Sequence, residues 1–292
     1  MIKVESLTKI YSNGKGIRDV SFEVRDGEVF GFLGPNGAGK TTTLRHLMGF
    51  VNSTSGKASI NGLECRNDAA QIHKNLGYVP GEIAFYDYMT GMQFLTFIDE
   101  LRGRKDNIRR DQLIDRFELE PGGKIRKMSK GMKQKVGLIA AFMHDPEVII
   151  LDEPTSGLDP LMQKRFVELI IEERSRGKTI LMSSHLFDEI DQTCERAGII
   201  REGELVAVEN IHSLKAALPQ SFIVTFADGE GMITLQNSPL NYIQKAPLTV
   251  EIFIKEDYNP MLRILAQCKV AHLISTPQTL EQIFMGFYGK GR

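Results

Sequence analysis

Two periods of apolar and polar residues run along this chain, and they predict its elements. Short apolar runs recur at Val29-Phe30-Gly31-Phe32-Leu33, Val148-Ile149-Ile150-Leu151 and Thr179-Ile180-Leu181-Met182. Runs of this length read as strands of a parallel sheet buried on both faces. Between them the apolar residues recur every three or four positions, as in Leu44, Leu47 and Met48, and in Met132, Val136, Ile139, Ala140 and Met143. That spacing is the stripe of a helix. Ser129 stands as an N-cap before the second stripe, and Asp159-Pro160 opens a helix that Gly177 closes. IKVESLTKIY and DVSFEV, near the start, read as short antiparallel strands. Strands alternating with helices up to about residue 210 predict an α/β unit with a mostly parallel sheet covered by helices.

The character changes after Val208. SFIVTFADGEGMITL reads as a hairpin turning at Asp228 to Gly231, and LTVEIFI as a further strand. A helix from Pro260 to Cys268, a strand from Val270 to Ser275 and a closing helix from Thr279 to Tyr288 follow. A boundary between Asn210 and Pro219 divides the chain into expected domains 1–212 and 213–292, the second a small α+β domain with no motif for chemistry.

Composition narrows the picture further. The chain has 292 residues, 42% of them hydrophobic, enough for a sizeable core. Its 36 basic and 37 acidic residues nearly cancel, which argues against nucleic acid as the main partner. Cys65, Cys194 and Cys268 are far apart and odd in number, so neither a disulfide framework nor a zinc site is expected. MIKVESLTKIYSNG lacks the apolar stretch of a signal peptide, and no segment approaches the ~18 consecutive apolar residues of a membrane span. The expectation is a chain of the reducing cytoplasm, with any spanning part supplied by another chain.

GPNGAGKTT, residues 34 to 42, fits the phosphate-loop pattern G-x-x-x-x-G-K-[ST]. Gly37 and Gly39 let the backbone curl so that N–H groups converge on phosphate oxygens. Gly34, Pro35, Asn36, Ala38 and Thr42 complete the candidate loop. Lys40 supplies a point charge for the terminal phosphates, and Thr41 a hydroxyl for Mg2+. The strand before the loop and the helix after it put the phosphates at a helix N-terminus. The run 148–151 ends in Asp152-Glu153 beside that loop, with Asp152 a candidate for the Mg2+ shell and Glu153 for the attacking water; alone, the pair reads first as a strand end entering a turn, and the phosphate loop upstream favours the chemistry. His185 also follows a strand, where it could donate a hydrogen bond to the γ-phosphate or sit as a surface residue.

Taken in order, GPNGAGKTT, MSKGMKQK at 128 to 135, VIILDEP, SGLD at 156 to 159 and His185 resemble the ATP-binding subunit of an ABC transporter. The resemblance covers residues 1 to 210, and the C-terminal part is similar to the tail of ABC-2 type exporters of the drug-resistance kind. It implies a P-loop NTPase cassette with antiparallel and helical subdomains, ATP and Mg2+ as ligands, and a homodimer on ATP binding. It also implies a separate integral membrane permease and a place on the inner face of the cell membrane. Catalytic roles fall to Glu153, His185 and Lys40, and stacking on adenine to Tyr11, which reads otherwise as a half-buried tyrosine. Ser129, Lys130 and Gly131 would face the ATP of the partner subunit, and Ser156 to Asp159 would pass between the two cassettes.

The chain departs from the family at three places. Lys130 stands for the usual glycine, adding attraction for phosphate or only a solvated charge, and Met132 stands for glutamine. Gly81, in LGYVPGE, replaces the glutamine that touches Mg2+ and the attacking water; Glu82 is the substitute ligand or points to solvent. The aromatic stretch Phe85, Tyr86, Tyr88, Phe94 and Phe97 is a receptor for a membrane partner's helix or the core of a helical subdomain. A soluble ABC-type ATPase acting on ribosomes or nucleic acid is the alternative. One cassette, no sustained heptads and no zinc pattern count against it.

Overall fold

The computed structural model describes residues 1–103, 106–211, 213, 220–254 and 257–276, which fall into two compact units, Met1–Asn210 and Ile211–Arg292. The first unit contains two sheets. β1 (Ile2–Ile10), β2 (Gly16–Val24), β4 (Ser55–Ile60) and β5 (Leu63–Glu64) make an antiparallel sheet in the order β2-β1-β4-β5. β3 (Val29–Leu33), β6 (Leu76–Val79), β7 (Val148–Asp152), β8 (Thr179–Ser184), β9 (Arg196–Arg201) and β10 (Glu204–Asn210) make the second, in the order β10-β9-β3-β8-β7-β6. Every neighbouring pair in the second sheet is parallel except β10 with β9.

The central strands lie between two layers, so every residue of β3, β7 and β8 is buried. Phe22 of β2 stacks on Phe30 and Phe32 of β3, with ring centroids 5.4 and 5.2 Å apart, and so joins the two sheets in one core. The covering helices are α1 (Lys40–Leu47), α2 (Ala69–Ile72), α3 (Gly91–Leu101), α4 (Ile108–Arg116), α5 (Lys130–Phe142), α6 (Pro160–Ser175) and α7 (Phe187–Thr193). α3 and α4 pack on α5 and form the helical layer inserted between β6 and β7.

Their starts follow from local chemistry. Thr90 and Gln93 form a capping box at α3, the Ser129 hydroxyl accepts the Met132 N–H at 3.2 Å, and the Asp159 carboxylate accepts the Met162 N–H at 3.0 Å. Each such cap contributes about 1 kcal/mol. Register then sets the site. Leu33 pairs with Ser184 and Asp152 with Ser183, so β3, β7 and β8 end at one edge, where open parallel sheets bind ligands.

The second unit is an antiparallel sheet of β11 (Gln220–Phe226), β12 (Tyr242–Ala246), β13 (Thr249–Ile254) and β14 (Val270–Thr276), ordered β12-β13-β11-β14. α8 (Gly229–Gln236) and α9 (Asn259–Leu265) complete a core of Val224, Phe226, Met232, Leu235, Val250, Ile252, Ile254, Met261 and Leu265. The hairpin expected at SFIVTFADGEGMITL is corrected here: only its first half is a strand, and Gly229–Gln236 is helical. Met232 and Leu235, three apart, both bury against the sheet, which a strand's two-residue period cannot do. Thr234 turns its hydroxyl back to the Glu230 carbonyl at 3.0 Å, a bond a helix offers to a β-branched residue. The closing helix expected at Thr279 to Tyr288 lies outside the described residues.

Candidate nucleotide site

β3 runs from the core into the loop 34–39, and α1 begins at Lys40. Gly37 and Gly39 have φ of 81° and 113°, in the region that excludes most side chains. A Cβ at residue 39 would also stand 2.6 Å from Ile17 Cγ2, so glycine is required there for conformation and for space. The loop closes over a cavity of about 280 Å³ lined by Tyr11, Lys15, Gly16, Pro35, Asn36, Gly37, Gly39, Lys40, Thr41, Thr42 and Glu153. Ala38 is buried behind it, its carbonyl accepting the Gly203 N–H at 2.9 Å. Lys15 and Gly16, from the turn between β1 and β2, have no counterpart in the loop motif, and only the register of that turn brings them in.

Lys40 is buried, its ammonium donating to the Gly34 carbonyl at 2.6 Å and the Pro35 carbonyl at 3.3 Å. Its Nζ lies 3.1 Å from Glu153 Oε1, an ion-pair contact without the alignment of a hydrogen bond. The other oxygen, Oε2, accepts from His185 Nδ1. Asp152 is fully buried and held on both sides: Thr41 Oγ1 donates to Oδ2 at 2.7 Å and Ser183 Oγ to Oδ1 at 2.5 Å. Glu153 has φ of 50°, a left-handed conformation that a residue with a long side chain adopts only when its surroundings impose it. Both the Ser183 carbonyl and hydroxyl accept its N–H, at 3.2 and 3.1 Å. Lys40, Thr41, Asp152, Glu153 and His185, drawn from three strand ends, therefore form one connected cluster.

Ser129, Lys130 and Gly131 stand apart from that cavity, at the start of α5. Lys130 Nζ donates to Ser156 Oγ at 2.7 Å, so the lysine is a bonded group. A Cβ on Gly131 would meet the Gly157 carbonyl oxygen at 2.6 Å, and the Gln134 amide donates to the buried Pro154 carbonyl at 2.7 Å. The start of α5 and the loop 154–157 thus form a single interlocked surface. Gly81 lies against Asp152, where a Cβ would be 3.1 Å from Oδ2, whereas Glu82 is exposed and does not join the cluster. Tyr11 is 36% exposed at the cavity rim, with Lys9 Nζ 5.5 Å from its ring centroid.

Residues 17–156 match the ABC transporter family. An uncharacterized ABC transporter ATP-binding protein of Methanocaldococcus jannaschii is 37% identical over 218 residues, covering 73% of this chain and 79% of that protein. The chain belongs to the ABC transporter ATP-binding proteins. The bacitracin transport ATP-binding protein of Bacillus licheniformis is likewise 37% identical, over 70% of this chain and 68% of its own. A solved ATP-binding subunit of an ABC transporter superposes with a TM-score of 0.68 at 29% identity, covering 74% of this chain and 92% of the other. The fold is accordingly that of an ABC ATPase cassette, and the chain is an ATP-binding, ATP-hydrolysing subunit.

In this ABC ATPase the donor set around Asp152 suits a hard cation. A carboxylate and a hydroxyl meet within 2.7 Å at the cavity edge, and oxygen ligands of this kind are what Mg2+ selects. Four supporting residues carry no motif signal in the sequence. Ser183 holds Asp152, and Thr155 and Ser184 donate to the two oxygens of Glu189 on α7. Burial pushes the Glu189 carboxyl above its ordinary range against those two hydrogen bonds. Burial, with Asp152 adding to it, likewise pushes the Tyr78 hydroxyl up to about 12, so that it stays neutral beside the cluster. Of the aromatic stretch, Phe85 and Phe94 meet edge to face at 5.0 Å, while Tyr86 and Tyr88 are exposed.

Proposed function

We propose that two copies of this chain close head to tail on two ATP molecules and that hydrolysis reopens them, driving an exporting integral membrane permease. The observation that carries this reading is the cluster of Lys40, Thr41, Asp152, Glu153 and His185 at the mouth of the phosphate-loop cavity. The loop amides and Lys40 bind the phosphates, and Tyr11 stacks on the adenine. Thr41 and Asp152 would hold Mg2+, which neutralises charge on the phosphate oxygens when bound.

Glu153 takes the proton of the attacking water. His185 donates through Nδ1 to Glu153, so it can donate through Nε2 to the γ-phosphate only as the imidazolium. Glu82, exposed, stays outside the metal shell in this reading. Ser129, Lys130 and Gly131 of one copy face the ATP of the other. A ligand drives closure only by binding the closed state better, and a γ-phosphate touched from both sides meets that requirement.

No helix among the described residues is long and apolar enough to cross a membrane. A separate spanning subunit would hold the chain at the inner face of the cell membrane. Its helix has a receptor in the apolar cavity of about 300 Å³ lined by Phe50, Phe85, Phe94, Ile98 and Arg102 among others. Export as the direction rests on the similarity of the C-terminal part, ending in PQTLEQIFMGFYG, to the tail of drug-resistance exporters. The test is purification of the tagged chain from detergent-solubilised membranes, with ATP turnover and the bound proteins both measured. Turnover together with one stoichiometric integral membrane protein is expected. Turnover with recovery on ribosomal particles would overturn the transport reading.

A further inference from the structure

The two turns that carry Glu153 and His185 share one buried anchor. After β7 the chain turns through Glu153, Pro154 and Thr155; after β8 it turns through His185 and Leu186 into α7. Thr155 Oγ1 donates to one oxygen of Glu189, and Ser184 Oγ donates to the other at 2.9 Å. Ser184 Oγ also accepts the Leu186 N–H at 2.9 Å, closing a small turn around His185. Thr155, Ser184 and Glu189 are only 3%, 1% and 6% exposed, and Glu189 does not line the nucleotide cavity. A carboxylate buried this deeply must be hydrogen-bonded, and both of its oxygens are taken by hydroxyls from the two turns.

We propose that Glu189 is a positioning residue for ATP hydrolysis, bracing the Glu153 turn against the His185 turn so that the two side chains meet. The proposal rests on Glu153 acting as the base. Glu153 occupies a backbone region, φ 50°, in which it stays only if its neighbours over-determine it, and Thr155 is the second residue along that turn. A displacement of about 1 Å at a reacting group costs on the order of 10²-fold in rate, so loss of a brace in this place acts on turnover. Nucleotide affinity, set by the loop 34–42 and Tyr11, is untouched.

The test uses the full chain. Glu189→Ala is expected to lower kcat about 10- to 100-fold while the affinity for a fluorescent ATP analogue changes less than about 3-fold. Thr155→Val is expected to lose turnover in the same sense, and Thr155→Ser, which keeps the hydroxyl, to restore it. In a Glu153→Gln background, adding Glu189→Ala is expected to leave the residual rate unchanged, because residues acting through one another are not additive. Wild-type kcat in folded Glu189→Ala would overturn the proposal, as would effects that multiply in the double variant. If Glu189→Ala does not fold, the Thr155→Val and Thr155→Ser pair decides, and equal turnover in the two overturns it. An inactive wild type would instead sink the hydrolytic reading itself.

Discussion

Glu153→Gln is expected to lower ATP turnover by about two to four orders of magnitude, the range of a general base. Glutamine keeps the length and volume of the side chain, and it meets the left-handed backbone at φ 50° on the same terms as glutamate. What it loses is the proton acceptor. The oxygen that receives the His185 Nδ1 hydrogen bond becomes a neutral carbonyl or an amide donor, and Lys40, 3.1 Å away, loses an ion-pair partner. Removing a negative charge from the cavity wall does not weaken an anionic ligand, so ATP affinity should hold or rise. Single-turnover hydrolysis and equilibrium binding of the same preparation check both halves. Unchanged turnover would remove Glu153 from the role of base.

Lys40→Met is expected to damage binding and turnover together. Lys40 is 5% exposed, and its ammonium is fixed between two loop carbonyls, so it is organised before any phosphate arrives. Methionine fills the volume without the charge. A hydrogen bond to a charged group contributes about 1.5–3 kcal/mol, so ATP affinity should fall roughly 10- to 100-fold. Loss of one group that stabilises the developing charge lowers kcat by a further 10²–10³-fold or so. The split between variants separates the roles: Glu153→Gln binds and does not turn over, whereas Lys40→Met does neither well. Titration calorimetry with ATP, followed by steady-state kinetics, reads the difference; wild-type affinity in Lys40→Met would remove the lysine from the phosphate site.

The framework was readable wherever local chemistry and burial agree. β3 and β7 were legible because a strand covered on both faces must be apolar throughout, and both are buried at every residue. Ser129 and Asp159 were legible as helix starts because a short polar side chain before an apolar stripe has one favoured use, and both accept N–H bonds there. α8 is hidden in the sequence because Asp228-Gly229-Glu230-Gly231 carries the composition of a tight turn. Only the burial of Met232 and Leu235 on one sheet face distinguishes a helix start from a hairpin.

Tertiary pairings hid the rest. Glu189 lies in an acidic stretch, FDEIDQ, that reads as a solvated helix face until α7 is laid on the sheet and brings it to Thr155. Ser183 gives no signal in sequence that its hydroxyl holds Asp152, because the two residues are neighbours only through strand register. Lys130 could be read as a solvated charge or a phosphate ligand, and neither reading contained its bond to Ser156. The Gly81 position illustrates the opposite limit. The missing side chain is plain in the sequence, but that the Gly81 backbone abuts Asp152 while Glu82 stays exposed follows only from the fold.

If ATP joins two copies of the chain through opposite faces, the mass of the Glu153→Gln variant in solution must change with the nucleotide. Light scattering coupled to size-exclusion chromatography should give a monomer without nucleotide and with ADP, and a dimer with ATP. That dimer should fall apart when Ser129→Glu places a carboxylate at the start of α5. A variant that binds ATP with full affinity and remains monomeric alone and in the presence of its membrane partner would contradict the account.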